Sequence, residues 1–130
     1  MTAYRFLVNG EPTEVDVPGM RRLLDDAVVD SCLVPICQVD GSLVRTVEGL
    51  AAGAERGASL DTLQQAFLDA GGAQCGICTP GMLMAARAYI DAGGAADDEA
   101  IREAIAGNLC RCTGYTKIVE AIAIAAGGQR

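Results

Sequence analysis

Two cysteine pairs dominate the chemistry this chain could perform. They are Cys75 and Cys78 in Gln74-Cys75-Gly76-Ile77-Cys78-Thr79-Pro80-Gly81, and Cys110 and Cys112 in Asn108-Leu109-Cys110-Arg111-Cys112-Thr113-Gly114. The chain contains no histidine, so a metal held at these pairs is bound by thiolate alone. That leaves an iron–sulfur cluster or a structural zinc. A C-x-C pair strains a compact tetrahedral chelate, which favours the cluster, although a four-cysteine zinc site is chemically sound. A dithiol redox pair is the third reading, but such pairs follow a strand in a thioredoxin-like pattern that is missing here.

The segments around the pairs explain how they could be positioned. From about Ser59 the apolar period is helical. Leu60, Leu63 and Phe67 mark a first face ended by Gly71-Gly72. Met82, Ala86 and Tyr89 or Ile90 mark a second, ended by Gly93-Gly94. Ile101, Ile105 and Leu109 mark a third, opened by Asp97-Asp98-Glu99, and Ile118, Val119, Ile122 and Ala126 mark a fourth. Glycine stops and acidic starts stand where helix ends favour them. Helix, cysteine turn, helix thus occurs at roughly 60–91 and again at 98–126, and two such hairpins stack naturally into a four-helix bundle. Thr79 is the expected N-cap before Pro80, and Thr116 the cap of the last helix. Each pair then precedes a helix start, where free N–H groups and the dipole stabilise negative sulfur. Gly76, Gly81 and Gly114 allow sharp bends and close backbone approach.

The N-terminal part alternates instead. Residues 3–17 are expected to form a β-hairpin turned at Asn9-Gly10. Met20 to Asp26 is a short helix candidate, and Val28–Val34 and Leu43–Val47 are strand candidates, with Asp40-Gly41 as the turn before the second. So small a piece has little core of its own.

Bulk properties narrow the function further. The 130 residues are 51% apolar, with no Trp and a formal charge of −7. Basic residues are scattered, so the electrostatic footprint of a nucleic-acid binder is missing. No apolar run reaches the length of a membrane span. The first residues lead into the alternating pattern without a basic or apolar leader, and the expected setting is cytoplasmic. Six cysteines in a reducing compartment favour ligand or redox roles over disulfides.

QCGICTPGML at 74–83 and GNLCRCTGYTKIVEAI at 107–122 closely resemble the signature of the iron–sulfur subunit of molybdenum hydroxylases. This is the xanthine dehydrogenase, aldehyde oxidoreductase and carbon monoxide dehydrogenase family. VNGEP at 8–12, SCLVP at 31–35 and TVEGL at 46–50 extend the resemblance over nearly the whole chain. It implies an α+β fold: a truncated β-grasp, ferredoxin-like domain at 1–52, then a four-helix-bundle [2Fe-2S]-binding domain at 53–130. It also implies a cluster on Cys75, Cys78, Cys110 and Cys112. The position of Cys112 is expected to touch a molybdopterin, and Gln74 to help seat it by hydrogen bonding. The plainer role for Gln74 is a polar helix-end residue satisfying nearby backbone. Electrons in the family leave a molybdopterin on a large subunit, cross both iron–sulfur clusters and often reach FAD on a medium subunit.

The chain departs from that pattern in one place. A plant-type cluster uses a C-x4-C-x2-C loop and a distant fourth cysteine. Only the fourth position survives, as Cys32, because Asp25-Asp26 runs directly into Ala27-Val28-Val29. Cys32 and Cys37 do not make a four-ligand site and are read as small buried hydrophobes. Without the middle relay, transfer to a flavin partner is expected to slow or fail.

The leading expectation is therefore an electron-transfer subunit of an oxidoreductase, holding one [2Fe-2S] cluster and doing no substrate chemistry. The alternatives are a structural or assembly subunit with zinc or nothing at the four cysteines, and a free-standing one-cluster carrier.

Overall fold

The computed structural model describes residues 2–17, 28–51 and 60–127, and the chain divides into two compact units, Met1–Ala52 and Gly53–Arg130. In the first, strands β1 (Thr2–Val8) and β2 (Glu11–Val17) pair antiparallel. Asn9 and Gly10 connect them at φ 50 and 86, the doubly left-handed geometry that suits the twist of a two-residue hairpin. Strand β3 (Leu43–Val44) runs parallel to β1, giving the order β2-β1-β3. Asn9 also locks the loop after β3. Its side-chain oxygen accepts the Thr46 N–H at 2.9 Å, and its amide donates to Thr46 Oγ1 at 2.9 Å. Phe6, Val34, Ile36, Val39 and Val44 form the core, with Tyr4, Val8, Val15 and Val29 against it.

The expected hairpin and the Asp40-Gly41 turn are both present, with Gly41 at φ 81. The strand expected over Val28–Val34 is not. Leu33 N–H donates to Asp30 O at 2.7 Å, closing a turn there, and Pro35, which lacks a backbone donor, precedes a 3-10 turn at Ile36–Gln38. Val34 is buried and Leu33 exposed, so the apolar run was core anchor and turn, not ladder. The second candidate strand is shorter than expected: Val47 begins another 3-10 turn, Val47–Gly49. The helix expected over Met20–Asp26 lies outside the described residues.

The second unit contains α1 (Thr62–Ala70), α2 (Thr79–Asp91), α3 (Asp98–Ala104) and α4 (Thr116–Ala125). Asp61 starts α1 by accepting the Leu63 N–H, while Gln64 accepts the Asp61 N–H at 2.9 Å, a reciprocal cap. Gly71 ends it at φ 72, and the Gly72 N–H reaches back to Phe67 O at 2.7 Å. Asp97 opens α3 by accepting the Ala100 N–H at 2.9 Å. The core joins Leu63 and Phe67 of α1, Met82 and Ala86 of α2, Ile101 of α3 with Ile105 just beyond it, and Ile118, Val119 and Ile122 of α4. Helix α1 packs most extensively on α4, and α2 touches each of the other three. Among the described residues no helix is long and apolar enough to cross a membrane.

Three expectations about the helix ends need correction. Thr79 is the first residue of α2, and Cys78 occupies the cap position. Thr116 likewise begins α4, after a left-handed Tyr115. Leu109 is 86% exposed and lies beyond α3, because the helix closes at Ile105 and the chain turns toward Cys110.

Asp61 is buried beside Arg87, whose Nη1 lies 3.6 Å from Asp61 Oδ2. Asp61→Ala removes both a cap and one of two counter-charges of a mostly buried guanidinium, the other being Asp91. It is expected to cost about 2 kcal/mol in denaturant unfolding, whereas Asp61→Asn, which still caps, loses about half of that.

Candidate metal centre

The two cysteine turns come together in the helical unit. Cys112 Sγ lies 3.4 Å from Cys75 Sγ, joining one turn to the other. Cys78 and Cys110, one from each turn, also influence each other's titration. A sulfur from Gln74–Pro80 therefore meets one from Asn108–Gly114. Cys75 and Cys112 are exposed, while Cys78 and Cys110 are half-buried.

Local backbone geometry explains the approach. Gly76 at φ 82 and Gly114 at φ 63 bend the two turns through conformations that other residues rarely take. Gly81 serves differently. A Cβ there would overlap the Asn108 side-chain oxygen, so the start of α2 and the residue two before Cys110 are in close steric contact.

The sulfurs sit in a field of donors. The Ile77 N–H, then the Cys112 thiol, hold Cys75 below the ordinary thiol range. The Thr113 hydroxyl, followed by the N–H groups of Thr113 and Cys112, brings Cys110 down to about 7. Their partners move the opposite way. Burial, then the bond to Cys110, pushes Cys78 up to about 11, and the bond to Cys75 raises Cys112. The turns thus each hold one thiol that ionises more readily, Cys75 or Cys110, and one that ionises less readily, Cys78 or Cys112.

This donor set fits an all-thiolate iron–sulfur cluster. Backbone N–H groups directed at sulfur stabilise its negative charge without a cationic side chain. Thr79 Oγ1, in the residue after Cys78, is a buried polar atom without a hydrogen-bond partner, the kind of orphaned group that accompanies a site made for a bound group. Among the described residues, no three His, Cys, Asp or Glu side chains are arranged around a single metal ion.

Other residues singled out in the sequence fall where they do little here. Gln74 is exposed immediately before Cys75. Cys32 and Cys37 belong to the other unit and are both exposed, so their reading as buried hydrophobes is wrong. Cys32 lies in the turn before the buried Val34, and Cys37 takes an outward position between the buried Ile36 and Val39. Sequence reasoning missed Thr113 and Tyr115. Thr113 Oγ1 is 3.1 Å from Cys110 Sγ and accepts the Tyr115 N–H at 3.1 Å; Tyr115 OH accepts the Cys110 N–H at 2.9 Å. Tyr115 is held at φ 68, a costly conformation for a side chain of that size. The available signal was a hydroxyl residue three positions after Cys110.

Residues 46–123 match the family described as "[2Fe-2S] binding domain". The chain is 48% identical over 105 residues to the nicotine 6-hydroxylase small subunit of Paenarthrobacter nicotinovorans, across 81% of this chain and 61% of that protein. It spans little more than half of such curated relatives. Among solved structures, quinoline 2-oxidoreductase from Pseudomonas putida 86 matches at TM-score 0.81 and 32% identity, covering 97% of this chain and 96% of that one. The aldehyde oxidoreductase of Desulfovibrio desulfuricans matches at TM-score 0.86 and 30% identity, covering 98% of this chain and 17% of that one.

Proposed function

The chain belongs to the [2Fe-2S] binding domain family of molybdenum-hydroxylase iron–sulfur subunits, and from that premise we propose that Cys75, Cys78, Cys110 and Cys112 together hold one [2Fe-2S] cluster. The observation that carries this reading is the meeting of the two turns, with Cys112 Sγ 3.4 Å from Cys75 Sγ. A [2Fe-2S] cluster supplies one-electron oxidation and reduction. The protein's part is to present four thiolates, donate N–H groups to them and fix both turns on one scaffold. In this reading α1 to α4 form a four-helix bundle within a domain at 53–130, and residues 1–52 are a truncated ferredoxin-like domain.

The chain acts as the electron-transfer subunit of an oxidoreductase complex, between a molybdopterin on a large subunit and FAD on a medium subunit or another acceptor. The exposure of Gln74 and Cys112 supports their facing the molybdopterin, Gln74 through its amide. Substrate chemistry belongs to the large subunit. Cys32 is a remnant of a second cluster site, and with Cys37 it supplies two thiols where four are needed. All six thiols are unpaired, which suits a reducing cytoplasm.

Metal analysis and EPR of the chain purified with its native partners test this. About two irons per chain, a rhombic signal on reduction and co-purifying molybdenum are expected. Colourless protein with zinc would establish the structural alternative, iron without molybdenum a free carrier, and about four irons per chain would overturn the single cluster.

A further inference from the structure

Of the four sulfurs in the helical unit, Cys110 alone has a hydroxyl in hydrogen-bond reach among the described residues. Thr113 Oγ1 lies 3.1 Å away. The direction of this bond follows from chemistry: a metal-bound thiolate has no hydrogen, so the hydroxyl donates. Its orientation follows from geometry. The Tyr115 N–H occupies the acceptor side of the same oxygen at 3.1 Å, which leaves the hydroxyl hydrogen aimed at sulfur.

The segment is built to keep that hydroxyl in place. Gly114 and Tyr115 are consecutively left-handed, at φ 63 and 68. Tyr115 holds this conformation while its ring oxygen accepts the Cys110 N–H at 2.9 Å. The residues from Cys110 to Tyr115 therefore close on themselves, with Thr113 between ligand sulfur and tyrosine amide. A turn needed only to place two cysteines would not require a tyrosine in a strained conformation.

We propose that Thr113 is a positioning residue that raises the reduction potential of the cluster by donating its hydroxyl hydrogen to Cys110 Sγ. This rests on the ligand set proposed above. Adding one electron increases negative charge on the ligand sulfurs, and a charge-assisted bond to one of them strengthens accordingly. The reduced form gains more than the oxidised form, and the potential rises.

The test is an EPR-monitored dithionite titration of the whole complex carrying Thr113→Val, Thr113→Ala or Thr113→Ser. Valine and alanine are expected to lower the ratio of reduced to oxidised cluster about tenfold at a fixed ambient potential, or about 59 mV for a one-electron couple. Serine, which keeps the hydroxyl, is expected to titrate with the wild type. Unchanged potentials in Thr113→Val and Thr113→Ala at full spin intensity would overturn the proposal. Loss of the cluster from both, with serine normal, would assign Thr113 a purely structural role and also overturn it. Absence of a [2Fe-2S] signal from the wild-type complex would instead remove the ligand assignment beneath it.

Discussion

Cys110→Ala is expected to reduce iron from about two atoms per chain to nearly none and to abolish the EPR signal of the reduced complex. Three thiolates leave one iron short of a ligand, and the chain has no histidine to substitute. Cys110 is also where the donors concentrate, with the Thr113 hydroxyl and the N–H groups of Thr113 and Cys112 on one sulfur. Cys110→Ser is expected to do little better, because a hydroxyl is a harder and far less acidic ligand than a thiol. Far-UV circular dichroism serves as the control. Cys110 lies outside the helices, so helical content should persist even as iron is lost. Full iron retention in Cys110→Ala would remove it from the ligand set.

Phe67→Ala should be the most damaging change remote from the cysteines, lowering the unfolding free energy by about 3–5 kcal/mol. Phe67 is 2% exposed in the core of the helical unit, and no larger side chain is fully buried among the described residues. Its ring also packs against Gly72, where the chain leaves α1 for the first cysteine turn. Domains of this size are stable by only about 5–15 kcal/mol, so the loss takes a large share of the total. Phe67→Leu, which fills most of the volume, should lose about 1–2 kcal/mol. Denaturant unfolding checks both, and a cost below about 1 kcal/mol for alanine would mean that the core there collapses around the gap.

The sequence carried the helical half well because its signals are local. The acidic run from Asp97 opens α3, Gly71 stops α1, and the apolar period allows one buried face in each helix. The Asn9-Gly10 hairpin was equally plain, since few dipeptides tolerate two left-handed residues. The failures were tertiary. Val28 to Val34 has the composition of a strand, yet whether it pairs depends on a neighbouring ladder, and the turn at Asp30–Leu33 removes it. Leu109 fits the helical period, but the chain is diverted to bring Cys110 to its partners. Tyr115 was unreadable as a left-handed residue because its conformation is sustained by Thr113 and Cys110 rather than by its own preference. At the cysteines, residue types and spacing identified the thiols, while which sulfur neighbours which depended on the meeting of distant turns.

That meeting of two distant turns has a consequence for how the protein is made. On the proposed ligand set, neither turn alone provides four thiols, and Cys75 meets Cys112 only when the two turns come together. A nascent chain that has formed only its first helical hairpin has two of the four ligands. Cofactor insertion must therefore wait for the second hairpin to dock, and metal binding becomes part of the folding free energy. The cluster then acts as a clasp between two segments more than thirty residues apart, so delivery of iron becomes a checkpoint passed only by chains that have already assembled.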